Sequence, residues 1–414
     1  MKAGWQNCRL GDLSALITKG TTPTSVGHQF VENGINFIKV ESITGHHSLN
    51  PDKFAKIDAS CHAHLKRSQI HDNDILFSIA GALGRCAIAT HEVLPANTNQ
   101  ALAIVRLSNL HVSTPEYVLY ALQSGIVTDQ IERDRAGSAQ QNLSLKQLSD
   151  FEIPLPPIEE QQRIVAVLDK AFAGIATATA NAQKNLANAR ALFESFLGTA
   201  FGRDEVACTS YSLGEKSLIT IIDGDRGTNY PNKSDFLETG HCLFLNTKNV
   251  RPDGFNFDTT MFVSEEKDAN LRKGKLSRGD VIMTTRGTIG NLAVYDEAVA
   301  YRHIRINSGM LIFRPNLEKI SSRYLFEILR SGIIKKQIAE NISGAAQPQL
   351  PIHTLVKFTI PVPDALTDQD RIVRGLAEIE AAKNKLEQLY ENKLSALSEL
   401  KQSLLQRAFA GELT

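Results

Sequence analysis

Two long segments of the chain carry apolar residues at the spacing of a coiled-coil seam. The first runs from Ile164 to Ala200 and is lined in its middle by alanine, whereas the second, from Ile372 to Leu404, is mostly leucine. Spacings of three and four over about five heptads predict helices that pack in pairs. We expect two rods of roughly 35 residues, on the order of 50 Å long. If they pack antiparallel, each carries one globular domain at its own end. The alternative is a pair of long core helices.

The same spacing predicts the seam positions. In the first helix they are Leu168, Ala171, Ile175, Ala178, Ala182, Leu186, Ala189, Phe193, Phe196 and Ala200. In the second they are Ile372, Leu376, Ile379, Leu386, Leu389, Leu394, Leu397, Leu400 and Leu404. A variant capping box at Thr367 and Asp370 predicts where the second helix begins.

The segments before and between these helices have a shorter period. Runs of β-branched and aromatic residues alternate with Gly, Asn and Thr turns, which is typical of strands. The runs are INFIKV, DILFSIA and ALAIVRL in the first segment, and CLFLNTKNV, DVIMTT and GMLIFRP in the second. A short helical pattern follows each set, at EYVLYALQS and RYLFEILRS. Each segment is predicted to be an α+β domain built on a curved β-sheet.

The two halves of the sequence are copies of one another. Residues 137–156 match residues 344–363 at 9 of 20 positions without a gap. Nearly the same register aligns Asp74 with Asp280 and Arg163 with Arg371. Solenoid repeats are roughly 20 to 50 residues long, so this longer repeat indicates a duplicated domain. We predict approximate twofold symmetry.

Proline turns mark the boundaries of the predicted parts. Prolines at 154–157 and 361–363 precede the two long helices, and proline ends a preceding strand because it lacks an N–H donor. The predicted organisation is a globular domain at 1–152, a helical region at 153–203, a second globular domain at 204–358 and a second helical region at 359–414. A chain of 414 residues is long enough for this number of parts.

Composition indicates a cytosolic protein. The five cysteines are scattered and include no CxxC pair, which favours reduced thiols. The longest apolar runs are shorter than the roughly 20 residues of a membrane span, and no signal peptide pattern precedes Trp5. We therefore expect no membrane association.

Charge gives little guidance to a partner. The chain holds 45 Lys and Arg against 45 Asp and Glu. Residues 206–358 carry 20 basic and 16 acidic residues, while residues 1–150 carry 13 of each and 8 of the 11 histidines. A weakly basic domain is compatible with phosphate contacts. An ordinary solvated surface explains the same charge equally well.

Catalytic motifs are missing from the sequence. It contains no GxxxxGK[ST] loop, GxGxxG turn, HExxH, GxSxG or Asn/Asp-Pro-Pro-aromatic motif. Histidines at His46-His47 and in Cys61-His62-Ala63-His64 are interpreted as exposed loop residues rather than metal ligands. We predict neither a catalytic site nor a metal site.

Matched polar loops are the candidate binding elements. Residues 19–23 are aligned with 225–229, residues 39–42 with 246–249, and residues 81–85 with 286–291. Arg suits bidentate contacts with guanine, and Asn or Gln with adenine; glycine turns can hold phosphates. The predicted DNA-binding residues are Lys19, Thr21, Thr22, Lys39, Ser42, Arg85, Gln140, Gln141, Asn142, Arg226, Thr228, Asn229, Asn246, Lys248, Asn249, Arg286, Gln347 and Gln349.

Several motifs together resemble those of type I restriction-modification specificity subunits. They are the G-x-A-Q-x-x-L…F-x-I-P-x-P element that ends each globular half, the helix entries PLPPIEEQQRIVAVLD and DQDRIVRGLAEIE, and the closing SLLQRAFAGEL. The resemblance covers essentially the whole chain, and the order and duplication of the motifs are more specific than any one of them.

The resemblance implies two target recognition domains that each read half of a bipartite double-stranded DNA site. It implies two antiparallel helices that space the half-sites and dock two modification subunits, which bind S-adenosylmethionine and methylate adenine. A restriction subunit would supply translocation and cleavage with ATP and Mg. The chain itself is expected to be a non-catalytic subunit without a bound cofactor.

Two departures from the family pattern concern the helical regions. The second helix entry reads DALTDQ where the first reads PIEEQ, and the central segment closes with AFGRD rather than AFAGEL. The two docking surfaces therefore need not be equivalent. The globular halves diverge outside their shared motifs, which suggests an asymmetric target.

Two other classes of function stay open from the residues alone. A twin-domain scaffold could bridge two protein partners without binding DNA, and the weak charge is compatible with it. A stand-alone nuclease or methyltransferase is disfavoured by the missing catalytic motifs.

Overall fold

The computed structural model describes residues 2, 4–44, 48–136, 142–201, 207–341 and 349–413. The chain forms two compact units. Unit 1 comprises Met1–Lys184 and Tyr390–Thr414, and unit 2 comprises Asn185–Leu389. This division runs through both long helices, so each unit contains one globular domain and a part of each helix. The predicted boundaries at 152, 203 and 358 stay predictions.

Strands and short helices alternate along unit 1. Its strands are β1 (Gln6–Arg9), β2 (Ser14–Lys19), β3 (Ile35–Ile38), β4 (Ala55–Ile57), β5 (Gln69–Ile70), β6 (Ile75–Ser78), β7 (Cys86–Ile88), β8 (Ala96–Thr98), β9 (Leu102–Leu107) and β10 (Glu152–Leu155). Its short helices are α1 (Leu10–Leu13), α2 (Ala59–His64), α3 (Pro115–Leu122), α4 (Gly125–Ala136) and α5 (Leu145–Asp150). The long helix α6 (Ile158–Thr199) begins here.

Unit 2 repeats this order with small additions. Its strands are β11 (Cys208–Ser212), β12 (Ile219–Asp223), β13 (Cys242–Leu245), β14 (Val250–Arg251), β15 (Gly254–Phe255), β16 (Phe262–Val263), β17 (Val281–Thr284), β18 (Leu292–Val294), β19 (Ile304–Ile306), β20 (Met310–Pro315) and β21 (Thr359–Pro363). Its short helices are α7 (Glu265–Asn270), α8 (Ser322–Arg330), α9 (Gly332–Asn341) and α10 (Ile352–Leu355), and the long helix α11 spans Leu366–Ala410.

Each unit contains the same two principal sheets. In unit 1 an antiparallel sheet has the order β2-β9-β6-β7, and a second sheet has the order β4-β3-β8-β5 with β3 and β8 parallel. In unit 2 the corresponding orders are β12-β20-β17-β18 and β16-β13-β19, with β13 and β19 parallel. The pairs β1-β10 and β11-β21 join the start of each domain to the segment before its long helix.

The predicted strands and short helices are confirmed. The strand runs become β3, β6, β9, β13, β17 and β20, and the short helical patterns become α3 and α8. CLFLNTKNV is shorter than expected as a strand, because residues Thr247–Asn249 turn into a 3-10 helix after β13. The α+β class and the duplicated domain are therefore correct.

The central strands are apolar on both faces. In β6, Ile75 and Phe77 pack with the helices, while Leu76 between them packs in the core between the two sheets. In β17, Val281 and Met283 face the helices and Ile282 the second sheet. Alternate side chains of a strand point to opposite faces, so a strand covered on both sides reads as a continuous apolar run.

The long helices are antiparallel where both lie within unit 2. Arg190 of α6 pairs with Glu387 of α11, with its Nε 2.8 Å from Oε1. Three residues further along α6, Phe193 lies under the ammonium of Lys383, which precedes Glu387 by four residues. Residue numbers thus increase along α6 while they decrease along the facing part of α11, as in any antiparallel pair.

The predicted seam is correct for the first helix and partly wrong for the second. On α6 the side chains of Leu168, Ala182 and Phe193 are buried. On α11 the predicted seam residues Leu386, Leu389 and Leu400 are 40%, 58% and 47% exposed. The neighbouring positions that face the partner helix carry charged groups. The spacing of the leucines therefore predicted the wrong seam residues at these places.

The start of α11 also differs from the prediction. The backbone N–H groups of Asp368 and Gln369 donate to the carbonyl of Ala365. Helix α11 therefore begins at Leu366, and Thr367 lies within its first turn rather than at its cap. The expected capping box does not form.

Helix α6 is long and apolar enough to cross a membrane by length and composition alone, with a mean hydropathy of 1.2 over 18 residues. The core helix of a soluble protein passes the same test. Of that window, 11% is buried inside the structure. Ile164 and Leu168 are 0% exposed in the core of unit 1.

The duplication extends to single hydrogen bonds. Tyr117 Oη donates to the carbonyl of Pro154 at 2.7 Å, and Tyr324 Oη donates to that of Pro361 at 2.7 Å. The ring of Tyr117 packs on Phe409, as that of Tyr324 packs on Phe201. Each tyrosine thereby joins its domain to the segment before one long helix and to the end of the other.

A bidentate ion pair braces the main sheet of each unit. Arg106 Nε and Nη2 lie 2.7 Å from the carboxylate of buried Asp74, and Arg314 contacts Asp280 at 2.9 and 2.8 Å. Hydrogen bonding to these carboxylates raises the pKa of both guanidinium groups. Both aspartates also accept a backbone N–H, so each buried charge is fully paired.

A buried glutamine fixes the first turn of each long helix to its domain. Gln161 Nε2 donates to the carbonyls of Val112 and Pro156, both at 2.9 Å, and its Oε1 accepts from the N–H of Thr114 at 3.2 Å. The side chain is 0% exposed. It therefore replaces water for three backbone groups at this junction.

Gln369 makes the equivalent contacts in unit 2. Its Nε2 donates to the carbonyls of Lys319 and Pro363 at 2.8 and 3.1 Å, and its Oε1 accepts from the N–H of Ser321 at 2.9 Å. It is also 0% exposed. One amide side chain thus makes the same three bonds in both copies.

Replacing Gln161 with Leu should destabilise unit 1 by about 2–3 kcal/mol, because buried backbone groups lose their partners. Trp5 is the sole tryptophan and lies in the core of unit 1, so its fluorescence reports the unfolding of this unit in urea. The Trp5 transition should move to lower urea concentration in Gln161→Leu.

Two matched variants control this measurement. Gln162 is exposed, so Gln162→Leu should leave the Trp5 transition unchanged. Gln369→Leu should destabilise unit 2 and affect Trp5 much less. Equal shifts in Gln161→Leu and Gln162→Leu would show that the buried bonds do not matter.

Candidate DNA-binding loops

The candidate loops of unit 1 meet at the turn between β8 and β9, residues 99–101, which we call the hub turn of unit 1. Asn99 Oδ1 accepts from the N–H of Ala101 at 3.1 Å and closes the turn. The N–H of Gly20 donates to the carbonyl of Asn99 at 3.1 Å, and that of Ile79 to the carbonyl of Ala101 at 2.9 Å. The first and third loops are therefore attached to the hub turn through backbone bonds.

Unit 2 has an equivalent hub turn at residues 307–309, between β19 and β20. Asn307 Oδ1 accepts from the N–H of Gly309 at 2.9 Å. The carbonyl of Gly309 accepts from the N–H of Thr285 at 2.8 Å, and the N–H of Asn307 donates to the carbonyl of Leu245 at 3.0 Å. Here too the loops after the main strands meet around one turn.

Close backbone approach explains the glycine of the first loop. A Cβ on Gly20 would lie 1.8 and 2.7 Å from the carbonyl oxygens of Thr98 and Asn99, and a Cβ on Gly224 would lie 2.3 Å from that of Asn307, the counterpart of Asn99. Only glycine allows this contact. Gly20 and Gly224 are therefore equivalent residues.

This equivalence corrects the predicted alignment of the first loops. Residues 19–23 were expected to match 225–229, an alignment in which Gly20 corresponds to Arg226. In the sheets, Lys19 pairs with Ala103 on β9 and Asp223 with Leu311 on β20. Lys19 therefore matches Asp223, and the true counterpart of Thr22 is Arg226. The glycines of irregular loops gave a false register because they recur every few residues.

The first loop of unit 2 is held by the carboxylate of Asp225. It accepts from the N–H of Gly227 and Arg272, both at 2.6 Å, and from that of Lys273 at 3.3 Å. Burial opposes ionisation of this group, but the three backbone donors hold the pKa of Asp225 below its usual value. The loop is fixed while Thr228 and Asn229 stay exposed.

The second loops are tight 3-10 turns, and they place their residues in two ways. Ser42 and Asn249 are 0% and 1% exposed. Ser42 Oγ donates to the carbonyl of Lys53 at 3.2 Å, while Asn249 Nδ2 donates to the carbonyls of Asn256 and Thr259 at 3.0 and 2.7 Å. These two side chains hold the turns from inside and are not accessible to a ligand.

The other predicted residues of the second loops lie outside. Lys248 is exposed, and Asn246 is half-buried with its Oδ1 accepting from the N–H of Lys248 at 2.8 Å. Lys39 is half-buried with its ammonium 4.6 Å from the centroid of the Phe30 ring. Lys39 and Lys248 therefore carry the positive charge of these turns, and Lys39 Nζ also lies 3.9 Å from Glu41 Oε1.

The third loops are glycine hairpins after β6 and β17. Gly81 and Gly84 have φ of 75° and 78°, and Gly287 and Gly290 have φ of 73° and 90°. The arginines of these hairpins are exposed but occupy different places. Ser78 donates its N–H to the carbonyl of Arg85 as Thr284 does to that of Asn291, so Arg85 matches Asn291 rather than Arg286.

The amide loops approach the same ends of the sheets. The N–H of Leu143 donates to the carbonyl of Ile79 at 2.9 Å, and that of Leu350 to the carbonyl of Thr285 at 3.1 Å. Gln349 forms an isolated antiparallel bridge with Arg286, and both are exposed. Asn142 is exposed as well. The predicted residues Gln140, Gln141 and Gln347 lie outside the described residues.

Exposed groups of the first loops complete the set. Lys19 is exposed at the end of β2, and Thr21 and Thr22 are half-buried. Arg226 is exposed and its Nη2 lies 3.2 Å from the carboxylate of Asp223. Each unit thus gathers lysine, arginine and amide groups around its hub turn. Such groups donate to phosphates and to base edges, and they include no nucleophile with an adjacent base.

The analysis of the sequence missed the hub turns themselves. Gln100 is exposed at the centre of its turn, and Ser308 is half-buried at the equivalent place. The signal was present as TNQA at 98–101 and INSG at 306–309, which fall in the register of the repeat. It was hidden because each turn directly follows a short strand and contains no proline, and because the unit 1 turn also lacks glycine.

The expected exposed histidine loop is a helix. Cys61, His62 and His64 belong to α2, and Cys61 is buried. His62 Nδ1 lies 2.5 Å from Asn97 Oδ1, and His64 Nδ1 lies 3.0 Å from Nε2 of His28. His46 and His47 lie outside the described residues.

Within the described part of the chain, His241, Asp268 and His303 place possible metal-ligand atoms within 4.8 Å of one another. Asp268 already binds Arg305 and Lys275, the latter with Nζ 2.6 Å from Oδ2. Burial opposes its ionisation, but these two cations hold the pKa of Asp268 below its usual value. Two cations beside the carboxylate repel a third, so we interpret the group as an ion-pair network.

A protein-family model described as the type I restriction modification DNA specificity domain matches residues 2–187 and 216–396. The two matches correspond to the two copies seen in the structure. Together they cover most of the chain.

Specificity subunits from two organisms are similar in sequence. The EcoBI specificity subunit of Escherichia coli is 23% identical over 292 residues, which are 66% of this chain and 60% of that subunit. The MjaVIII specificity subunit of Methanocaldococcus jannaschii is 25% identical over 395 residues, which are 91% of this chain and 86% of that subunit.

Two solved structures share the fold. A chain from work on complex assembly and conformational transition of the type I R-M system superposes with a TM-score of 0.80 at 20% identity, covering 100% of this chain and 99% of that chain. The HsdS subunit from Thermoanaerobacter tengcongensis superposes with a TM-score of 0.63 at 19% identity, covering 100% and 98%.

Proposed function

Because this chain belongs to the type I restriction-modification DNA specificity family, we propose that its two units read the two parts of a split double-stranded DNA site. The observation that carries the proposal is the repeated hub turn, which gathers polar loops at one end of a rigid sheet in each unit. Loops presented together can contact adjacent base pairs. The chain is the non-catalytic component of the enzyme.

The two half-sites are proposed to differ in sequence. Equivalent positions around the hub turns carry different groups: Lys39 in unit 1 stands where unit 2 has Asn246. The exposed Arg85 stands where unit 2 has Asn291, which is buried and donates to the carbonyl of Val250. A lysine and an amide select different base edges or phosphates. The DNA target is therefore asymmetric.

Partner subunits supply the chemistry in this proposal. Two modification subunits bind S-adenosylmethionine and methylate adenine, and a restriction subunit uses ATP and Mg for translocation and cleavage. We propose that this complex works in the cytoplasm, where the DNA is. The assembly rests on the family, since the described loops of this chain offer binding groups only.

The long helices are proposed to dock the modification subunits. Leu192 on α6 and Leu389 on α11 are 70% and 58% exposed in unit 2, and Leu400 on α11 is 47% exposed in unit 1. Large apolar side chains exposed on helices are typical of protein-protein contacts. They support a partner along the helices rather than at the hub turns.

The proposal is tested by co-expressing this chain with the methyltransferase subunit encoded beside it and mapping methylated adenines in the host genome by single-molecule sequencing. A split motif with an unspecified gap, present only with this chain, is the expected result. A stable complex without any methylation would favour the alternative, a twin-domain scaffold that does not bind DNA.

Substituting Arg286 with Ala should relax one base position in the half-site of unit 2, with a loss of discrimination of about 1–3 kcal/mol. Arg85→Ala should act likewise on the half-site of unit 1. Both are measured from methylation rates on oligonucleotides that differ at one position. Arg302 is an exposed arginine that precedes β19, whereas the hub turn follows β19. Arg302→Ala is the matched control.

Gel filtration of the same variants separates recognition from assembly. The modification subunits should co-elute with Arg286→Ala and Arg85→Ala as with the unchanged chain. Loss of the partner in either variant would make that arginine a structural residue.

Lengthening both long helices should change the gap between half-sites without changing their sequences. One heptad inserted after Lys184 in α6 and another after Leu389 in α11 adds on the order of 10 Å, or about three base pairs at 3.4 Å each. Adenine methylation mapping should then show the two original half-sites with a longer gap. Changed bases at an unchanged gap would contradict the role of the helices.

A further inference from the structure

At equivalent places in the two units, a short polar residue contacts a long one, but the long residue comes from a different loop in each unit. In unit 1 the short Thr22 contacts the long Gln100, and in unit 2 the long Arg226 contacts the short Ser308. Thr22 and Arg226 are equivalent in the loops after β2 and β12, and Gln100 and Ser308 are the central residues of the hub turns. Each unit therefore presents one long polar side chain at this contact. It comes from the hub turn in unit 1 and from the first loop in unit 2.

In unit 1 the amide of Gln100 is oriented by its neighbour. Thr22 Oγ1 donates to Gln100 Oε1 at 2.5 Å. The Nε2 group donates to no described residue, and the side chain is exposed. The threonine fixes which end of the amide is the acceptor, while one Oε1 lone pair and both Nε2 hydrogens stay available.

In unit 2 the guanidinium of Arg226 is anchored through one nitrogen. Its Nη2 lies 3.2 Å from Asp223 Oδ2 and 3.3 Å from the carbonyl of Ser308. The side chain is 50% exposed, and Nε and Nη1 donate to no described residue. Each parallel donor pair of a guanidinium includes Nη2, and the exposed ion pair of Nη2 with Asp223 is weak. A guanine can therefore replace that pair at Nη2 while it also accepts from Nη1.

Neither long side chain is needed to hold its loop. The first loop of unit 1 is attached to its hub turn by the backbone bond from Gly20 to Asn99, and that of unit 2 is fixed by the carboxylate of Asp225. Removing the side chain of Gln100 or Arg226 leaves these bonds intact. Either side chain can thus bind a ligand while its loop stays in place.

We propose that these two pairs form one base-reading position in each unit, an amide for adenine in unit 1 and a guanidinium for guanine in unit 2. An amide offers one acceptor and one donor, which match N6 and N7 of adenine, whereas a guanidinium offers two donors, which match O6 and N7 of guanine. Thr22 acts as a positioning residue. The inference rests on the proposed DNA recognition.

The sharpest test exchanges the pair. The double variant Arg226→Thr with Ser308→Gln builds the unit 1 pair in unit 2. This direction is chosen because the reverse exchange would place an arginine beside Lys19, the counterpart of Asp223. In the complex with the methyltransferase subunit, one guanine position in the unit 2 half-site should become adenine, and all other positions should be unchanged. Methylated adenines are mapped in the genome as for the unchanged chain.

Gln100→Ala is the second variant, in case the double variant does not fold. Discrimination for adenine at one position of the unit 1 half-site should fall about tenfold to a hundredfold, measured from methylation rates on oligonucleotides varied one position at a time. Gln6 is an exposed amide on β1, in the small β1-β10 pair; Gln6→Ala should change nothing.

The outcomes separate this inference from the proposed function. No split motif with the unchanged chain would defeat both. A split motif whose every position keeps its discrimination in Gln100→Ala would overturn the inference alone. So would a uniform loss of binding at every position, because that result identifies a phosphate contact.

Discussion

The junction between each domain and its long helix depends on one buried amide. Gln161 and Gln369 each satisfy three backbone groups that would otherwise be buried without partners. A backbone group orphaned in this way costs about 1–3 kcal/mol, so the helix cannot rotate or slide against its domain without losing several bonds together. The loops at the far end of the sheet are therefore also held at a fixed position relative to the helix. The length of the helix can thus set the position of the domain attached to it.

Repeated chemistry inside the units contrasts with unlike chemistry at the hub turns. Asp74 with Arg106 and Asp280 with Arg314 make the same bidentate pair in the two sheets, because a buried carboxylate tolerates few alternatives. At the surface, Gln100 and Ser308 occupy equivalent places without such a constraint. The folding requirement and the recognition requirement thus act on separate residues, which lets one fold carry two different binding surfaces.

Strands and helix seams that depend on periodicity were predicted correctly from the sequence. Positions that depend on tertiary contacts were not. Strands such as Ile75–Ser78 and the seam of α6 followed from alternation and heptads, because burial imposes those periods. Leu386 and Leu389 obeyed the same spacing but are exposed, since Lys383 and Glu387 face the partner helix and bond to it. The match of Thr22 with Arg226 could not be predicted, because it is set by how closely Gly20 and Gly224 approach their hub turns.

A duplicated chain must also avoid packing a helix onto the wrong copy of the domain. In unit 1 the junction is aromatic: Tyr120 packs on Phe172 and donates its hydroxyl to Asp169. In unit 2 the same place is ionic, because Arg330 binds Glu380 through two bonds of 3.0 and 2.9 Å and also Glu327. Placing Phe172 against the Arg330 cluster would remove the two bonds to Glu380 and leave Glu327 as the remaining partner of the guanidinium. Two junctions of equal geometry and unlike chemistry thus keep each helix with its own domain.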